Sequence, residues 1–222
     1  MSDSIFGGPF AISASRRAAT AGSVVWMMPP FMGQGMCAGI RDVANLAWKL
    51  AAVIGGRAAP ALLDSYESER AAHVRQYIDT AVRLGGIIQT TDPAVAAQRD
   101  AEMANGPPKM ESLKPALGPG LHGAAPAPAG TLSRQPRLAD GRRLDDAVGS
   151  RFALLRTRRV AGNGNWPEST IAAFGDDHAE VGAYLEVLGS DAVVIRPDRY
   201  ILGVARTPAE LAAVAAKIPL RA

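Results

Sequence analysis

The sequence predicts an α/β chain in two parts, a helical N-terminal part followed by a smaller mixed unit. Three observations carry that reading. Apolar residues recur at three- and four-residue spacing from Met36 to Ile54 and again over 61–88. The stretch 105–136 holds seven prolines and shows no period. Two β-rich runs between Asp191 and Ala205 meet at Pro197-Asp198-Arg199, whose residue types favour a hairpin turn.

Taken in order, Ser23 to Met28 is a short apolar run that predicts a strand ending at Pro29, while residues 1–25 are poorly patterned and expected to be loose. From Met36 the pattern is helical, through Ile40, Val43, Leu46 or Ala47, Leu50 and Val53-Ile54, and Gly55-Gly56 closes it. A second helix is expected over 61–88, with Leu62, Tyr66, Val74, Tyr77-Ile78, Ala81 and Leu84 on one side. Thr91-Asp92-Pro93 opens a shorter helix to about Met103, with proline in the first turn. Residues 105–137 form a linker or an extended wrapping segment, so the domain boundary falls there, between 26–104 and 138–222. Beyond it, Arg151–Arg156 reads as a buried strand, and Glu168 to Leu188 as helical segments broken near Gly175. Thr207-Pro208-Ala209-Glu210 has capping-box spacing and opens a last helix to about Lys217.

Composition narrows the function classes. The apolar fraction of 48 % and charged fraction of 20 % are those of an ordinary globular protein, and 222 residues allow a sizeable core. A net charge of +3, with arginines scattered along the chain, argues against a nucleic-acid partner. One cysteine, Cys37, excludes an internal disulfide and a CxxC pair, which fits a reducing, cytoplasmic setting. No run approaches the roughly 18 apolar residues of a membrane span, and the N-terminus lacks the pattern of a signal peptide. His73, His122 and His178 are too far apart in sequence for a ligand motif, so no metal site is expected and surface or structural roles are favoured.

The densest chemistry lies in "MMPPFMGQGMCAGIRDVANLAWKL", Met27 to Leu50. Gly33-Gln34-Gly35 permits a tight turn with no Cβ between a ligand and the main chain. The first turn of the following helix offers N–H groups without intrahelical partners and the positive end of the dipole. Physics alone leaves a phosphate site, the edge of a cofactor, or a buried helix start.

The order of residues says more. "PPFMGQGMCAGIRDVANLAWKL" resembles the second flavin-contacting motif of the class A FAD-dependent aromatic-ring monooxygenases, in the branch of 3-(3-hydroxyphenyl)propionate, phenol and polyketide hydroxylases. "LLDSYESER" (Leu62–Arg70) is similar to the family's next helix, and "DAVVIRPDRY" (Asp191–Tyr200) to its thioredoxin-like C-terminal domain. The resemblance implies a fold in which the helical C-terminal part of an FAD-binding domain precedes a thioredoxin-like domain. It assigns Pro30, Gly33, Gln34, Gly35, Met36 and Cys37 as flavin contacts. It implies NAD(P)H-dependent reduction of FAD and oxygen transfer from O2 to a small, typically phenolic, aromatic substrate.

Two departures from the family pattern matter. Where the family has Gly-Asp before its prolines, with the Asp on the ribityl chain, this chain has "GSVVWMMPP": Ser23 stands at the Asp position and Trp26 at the His position. Ser23 is still assigned to the flavin, as a weaker partner than a carboxylate. The family's G-x-G-x-x-G turn is absent, and "AGNGNW" (Ala161–Trp166) does not replace it. The chain therefore resembles the C-terminal portion of a hydroxylase, and its first 25 residues are expected to reflect a truncated or shifted reading frame. Tight FAD binding by this chain alone is not expected.

No catalytic residue is assigned. Asp42, with Asn45 and Lys49 on the same helix, positions backbone or a partner helix, or lies at the surface. Cys37 and Trp166 are read as packing residues, and Asp198 as a cap of its turn. The alternative to a monooxygenase is a non-catalytic remnant serving assembly or protein binding. Helices separated from an intramolecular partner should expose apolar stripes, which implies homo-oligomerisation, poor solubility, or a partner chain supplying the N-terminal half.

Overall fold

A computed structural model describes residues 33–104, 106, 113–160, 166 and 171–220. The expected strand at 23–28 and the loose start at 1–25 lie outside the described residues. Helix α1 (Gly35–Ile54) begins and ends where the periodicity places it, with Gly56 at φ +68° beyond its end. A short 3-10 turn (Pro60–Leu63) leads into α2 (Asp64–Ile88), and α3 (Pro93–Met103) follows. The Asp92 carboxylate accepts hydrogen bonds from the N–H groups of Ala94 and Val95 and so caps α3. That helix buries no residue.

The described part of the proline-rich stretch is a strap. Leu117 and Gly130 are bonded main chain to main chain, Gly118 N–H donates to the Glu69 carbonyl, and Gly130 N–H donates to the Ile201 carbonyl. Its glycines are needed for this close approach. A Cβ at Gly118 would strike the Ser68 carbonyl oxygen, and one at Gly120 would strike the Glu69 side chain. The segment thus ties α2 to the C-terminal unit, as the wrapping alternative anticipated.

That unit contains α4 (Leu144–Val148), β1 (Ala153–Arg156), β2 (Ile171–Phe174), α5 (Ala179–Val187), β3 (Ala192–Ile195), β4 (Ile201–Ala205) and α6 (Pro208–Ala215). The sheet order is β2-β1-β3-β4, parallel between β1 and β2 and antiparallel elsewhere. Strand β2 corrects the sequence reading, which placed a helical segment there. "IAAF" is too short to display a period and is rich in alanine, so pairing with β1 decides its conformation. The hairpin β3–β4 is as expected, with Arg199 at φ +70° in its turn. Thr207 caps α6 by accepting from Glu210 N–H at 3.2 Å, while the Glu210 carboxylate accepts from Arg206 N–H rather than from Thr207.

Because successive strand residues point to opposite faces, the sheet builds two cores. Ala153, Leu155, Val193 and Ile195 face Leu144 and Val148 of α4 and Val181, Tyr184 and Leu185 of α5. Leu154, Ala192, Val194 and Leu202 face Leu211 and Val214 of α6 together with Trp48 and Ala52 of α1, Ala58 and Leu62. Trp48 meets Phe152 edge-on, ring centroids 5.6 Å apart. The N-terminal helices and the sheet therefore share one core across the strap.

Candidate functional site

Gly33 has φ +62°, and a Cβ built there would meet nothing within 4 Å. The turn is open on that side, and its conformation suits glycine. Gln34 occupies the N-cap position of α1 without a side-chain capping bond, and the first turn carries no acidic residue. No acidic residue of the first turn faces the positive end of this helix dipole. Beside the turn, Gly35, Met36, Gly39, Ile40 and Val43 line an open depression of about 460 Å³. Cys37 is half-buried and free. The structure thus brings Gly33, Gln34, Gly35, Met36 and Cys37 together, while Ser23 and Pro30 lie outside the described residues.

Behind the turn, α1 is held by charge. Asp42, Asn45 and Lys49 recur at helical spacing on the face that points inward, and all three are buried. Glu69 on α2 accepts from Lys49 Nζ at 2.8 Å and from Asn45 Nδ2 at 3.0 Å. It is also clasped bidentately by Arg196, at 2.8 and 2.7 Å. Arg196 donates in turn to Asp198 at 3.0 and 2.7 Å, and Asn45 Nδ2 donates to Asp198 at 2.8 Å. Leu121 N–H, from the strap, donates to Glu69 Oε1 at 2.9 Å. Two cations and two anions are thereby closed into one neutral cluster that joins α1, α2, the strap and the β3–β4 turn. Alongside it, Arg70 Nε donates to Asp42 at 2.7 Å, and Tyr200 Oη lies 3.1 Å from His73 Nε2.

Charge states follow from this packing. Burial would raise the Glu69 carboxyl, but the charge and hydrogen bonds of Arg196, then Lys49 and Asn45, hold it well below the usual carboxylate range. Burial pushes Lys49 down to about 8, partly opposed by Glu69. Burial, with Arg70 and Arg41 nearby, lowers His73 to about 3, so its imidazole is neutral near pH 7. The Tyr66 hydroxyl is raised to about 12, chiefly by burial.

Several expectations are corrected here. Asp42, Asn45 and Lys49 do not lie at the surface; of the open readings, the one in which Asp42 meets a partner helix holds, through Arg70. Asp198 does more than cap its turn, because it reaches Asn45 across 153 positions of sequence. Of the surface and structural roles left open for the histidines, His73 and His122 are buried and take the structural one, whereas His178 is half-buried. Trp166 packs against the shared core as expected. Arg196, Glu69 and Arg70 were passed over in the sequence. The signal that could have found them is charge within otherwise apolar runs: Arg196 directly follows the fully buried strand "AVVI". Among the described residues, no group of His, Cys, Asp or Glu could hold a metal ion.

A family model described as an FAD binding domain matches residues 16–81. The chain is 33 % identical over 228 residues to a 3-(3-hydroxy-phenyl)propionate/3-hydroxycinnamic acid hydroxylase of Mycolicibacterium gilvum, covering 82 % of this chain and 40 % of that protein. It is 35 % identical over 232 residues to a probable NADH-specific resorcinol 4-hydroxylase of Rhodococcus jostii, covering 91 % and 42 %. Among solved structures, aklavinone-11 hydroxylase in complex with FAD and aklavinone superposes with TM-score 0.58 at 21 % identity, over 87 % of this chain and 42 % of that one. OxyS anhydrotetracycline hydroxylase from Streptomyces rimosus does so with TM-score 0.54 at 24 % identity, over 78 % and 38 %. These structural likenesses show the fold. The chain spans about two fifths of the length of the curated relatives it matches. The chain is thus similar over residues 16–81 to an FAD binding domain, and over about two fifths of their length to FAD-dependent aromatic-ring hydroxylases.

Proposed function

We propose that the chain is the C-terminal portion of an FAD-dependent, NAD(P)H-using monooxygenase that hydroxylates a phenolic or polyketide aromatic ring. The observation that carries this reading is the Gly33-Gln34-Gly35 turn at the start of α1, with Gly33 at φ +62° and space where its Cβ would stand. Gly33, Gln34, Gly35, Met36 and Cys37 would hold the pyrimidine edge of the flavin, largely through main-chain N–H groups. Ser23 and Pro30 are assigned to the ribityl chain and the reaction side. Bound there, FAD supplies the redox chemistry, taking two electrons from NAD(P)H and passing them to dioxygen. The residues of this chain supply electrostatics: a helix N-terminus favours adjacent negative charge by about 0.3–1 kcal/mol, and more where solvent is excluded.

The division into a helical portion (26–104), a strap (105–137) and a thioredoxin-like unit (138–222) belongs to the same proposal. It is supported by the mixed four-stranded sheet, its central β1–β3 pair and the helix after the last strand. The name NADH-specific resorcinol 4-hydroxylase for one relative supports a small phenol and a nicotinamide co-substrate. A second reading, an assembly or protein-binding module without chemistry, is favoured by the apolar residues that α1 leaves exposed. FAD titration of the purified chain, followed by flavin fluorescence, separates the two. Micromolar binding, weakened about tenfold by Gly33→Val, which strains a positive-φ position, is expected for a flavin site. Absence of binding at millimolar flavin leaves the second reading.

A further inference from the structure

The sheet unit carries a cavity of its own, on the face of the sheet that α1 does not reach. It opens where the loop 138–142 passes α4, β2 and the start of α5, and its volume is about 510 Å³. Leu144, Ala147 and Ala173 form its apolar wall, and Asp140, Arg142 and His178 its rim. The alanines matter, because a larger side chain at 147 on α4 or 173 on β2 would take up the space. The rim is built before any ligand arrives. Leu138 N–H donates to the Arg142 carbonyl at 2.9 Å, and Gly141 takes φ +80°, which folds the loop into a tight turn. Arg137 N–H donates to Glu180 Oε2 at 2.7 Å and Ala139 N–H to His178 Nδ1 at 2.8 Å, so the loop is fastened to the start of α5 at two points.

The chemistry of this rim is one-sided. Because Nδ1 accepts from Ala139, the ring proton of His178 sits on Nε2, which is then a donor at the cavity. Both Asp140 oxygens are engaged by Arg142, Oδ1 by its main-chain N–H at 3.0 Å and Oδ2 by its Nε at 2.7 Å. The guanidinium is thereby held by its Nε edge, and with the Arg142 side chain 61 % exposed its Nη donors stay accessible. The rim side chains thus offer donors, and their one carboxylate is already taken. A ligand that matches must bring acceptors on an apolar body. We infer that this cavity binds a small monocarboxylate whose body is about the size of a phenyl ring. Its two oxygens meet His178 Nε2–H and the Arg142 guanidinium, and its body lies against Leu144, Ala147 and Ala173. An ionised acceptor is favoured over a neutral one because its bonds to a guanidinium are about twice as strong. The volume falls within the roughly 300–1,000 Å³ of small-molecule sites. The site uses none of the residues assigned to the flavin and stands apart from that reading.

The test is an NMR titration of the full chain, with its alanine methyl groups labelled, using benzoate as the probe. Benzoate should shift the methyl signals of Ala139, Ala147 and Ala173 saturably, with a dissociation constant on the order of 1 mM, and leave those of Ala38 and Ala52 on α1 in place. Benzyl alcohol, of similar shape but uncharged, should bind about tenfold more weakly. Arg142→Gln should weaken benzoate by about tenfold through the lost charge-assisted bond. Ala147→Leu, which fills the cavity from a half-buried position on α4, should weaken it by at least as much. Arg142 is exposed, so its variant keeps the test decisive if Ala147→Leu disturbs α4. Ile40→Asp, in the depression beside the glycine turn, should change nothing. Absence of methyl shifts at about 20 mM benzoate overturns the proposal. Equal binding of benzyl alcohol also overturns it, because the rim donors then contribute nothing. So does an affinity for benzoate that survives either cavity variant, because the ligand then lies elsewhere.

Discussion

The C-terminal sheet and the N-terminal helix pair are stabilised by opposite means. Both faces of the sheet are closed by aliphatic side chains, and its central strand β3 is buried at every position. Where α1 and α2 meet the hairpin turn, the contact is a cluster of Lys49, Asn45, Glu69, Arg196 and Asp198, and the apolar stripe of α1 faces away. An apolar core tolerates rearrangement at modest cost, whereas a desolvated ionic cluster holds only one arrangement in which every charge is met. The difference teaches that only the sheet face under α4 and α5 is closed by the unit's own residues, while the other face takes Trp48, Ala52, Ala58 and Leu62 from the N-terminal part. The helices are instead fixed in one orientation relative to the sheet, so that the turn at the head of α1 is presented at a defined place.

The strongest way to break this contrast is to remove one charge from the cluster. Arg196→Met leaves Glu69 and Asp198 buried with Lys49 as the remaining cation, and the expected loss is about 3–5 kcal/mol, read from the urea midpoint. Replacing the set together, as Lys49→Met, Glu69→Leu, Arg196→Met and Asp198→Asn, should recover a good part of that loss, because none of the cluster's charges is then left buried and unmatched. A loss below about 1 kcal/mol for Arg196→Met would place it among ordinary surface pairs and remove the cluster as the fastening. The matching change in the sheet unit, Leu185→Ala in the α5 core, should cost about 2–4 kcal/mol through lost burial and a residual cavity. No partner substitution of similar charge logic should rescue it.

How far each region was legible follows from the same contrast. Periodicity placed α1, α2 and the hairpin because apolar spacing directly records which face is buried, and Asp92 and Thr207 announced their helix starts by capping chemistry. The glycine turn was legible as a turn, because Gly33 takes a positive φ that suits glycine. The cluster was not. Glu69 lies 127 positions from Arg196, and a charged residue carries no mark that it is buried until the fold brings its counterpart to it. The exposed apolar side of α1 is the stripe expected of a helix parted from an intramolecular partner. Strand β2 was missed for a simpler reason: four residues contain no usable period, and its partner β1 decides.

Acid separates the regions further. His73 is lowered to about 3 against an ordinary value of 6.5 and packs between Tyr77 and Tyr200. Below pH 6.5 the unfolded chain binds a proton that the folded chain does not, so stability rises with pH between about 3 and 6.5 and is lost on acidification through that window. The slope approaches about 1.4 kcal/mol per pH unit. Glu69 has the same sign in a lower range, its contribution present above the unfolded carboxyl value of 4.5 and lost as pH falls below it. Between pH 4.5 and 6.5 the slope therefore belongs to His73 together with His122, which burial also lowers, and His73→Phe should reduce it in urea titrations at stepped pH. A slope unchanged in that variant would mean that His122, on the strap, carries it instead.

The smallest effect tests whether the two regions unfold as one. Asp92 and Thr207 make the same kind of capping bond, and each is worth about 1 kcal/mol of local helix stability. Their helices differ in burial: α6 sets Leu211 and Val214 into the shared core, while α3 buries nothing. Thr207→Ala should therefore lower the global unfolding free energy by about 1 kcal/mol. Asp92→Ala should leave the urea midpoint unchanged and speed amide exchange only within 93–103, because a helix without buried residues opens without disturbing the core. Equal shifts in the midpoint from both variants would mean that α3 is coupled to the core by contacts beyond those it makes in this fold.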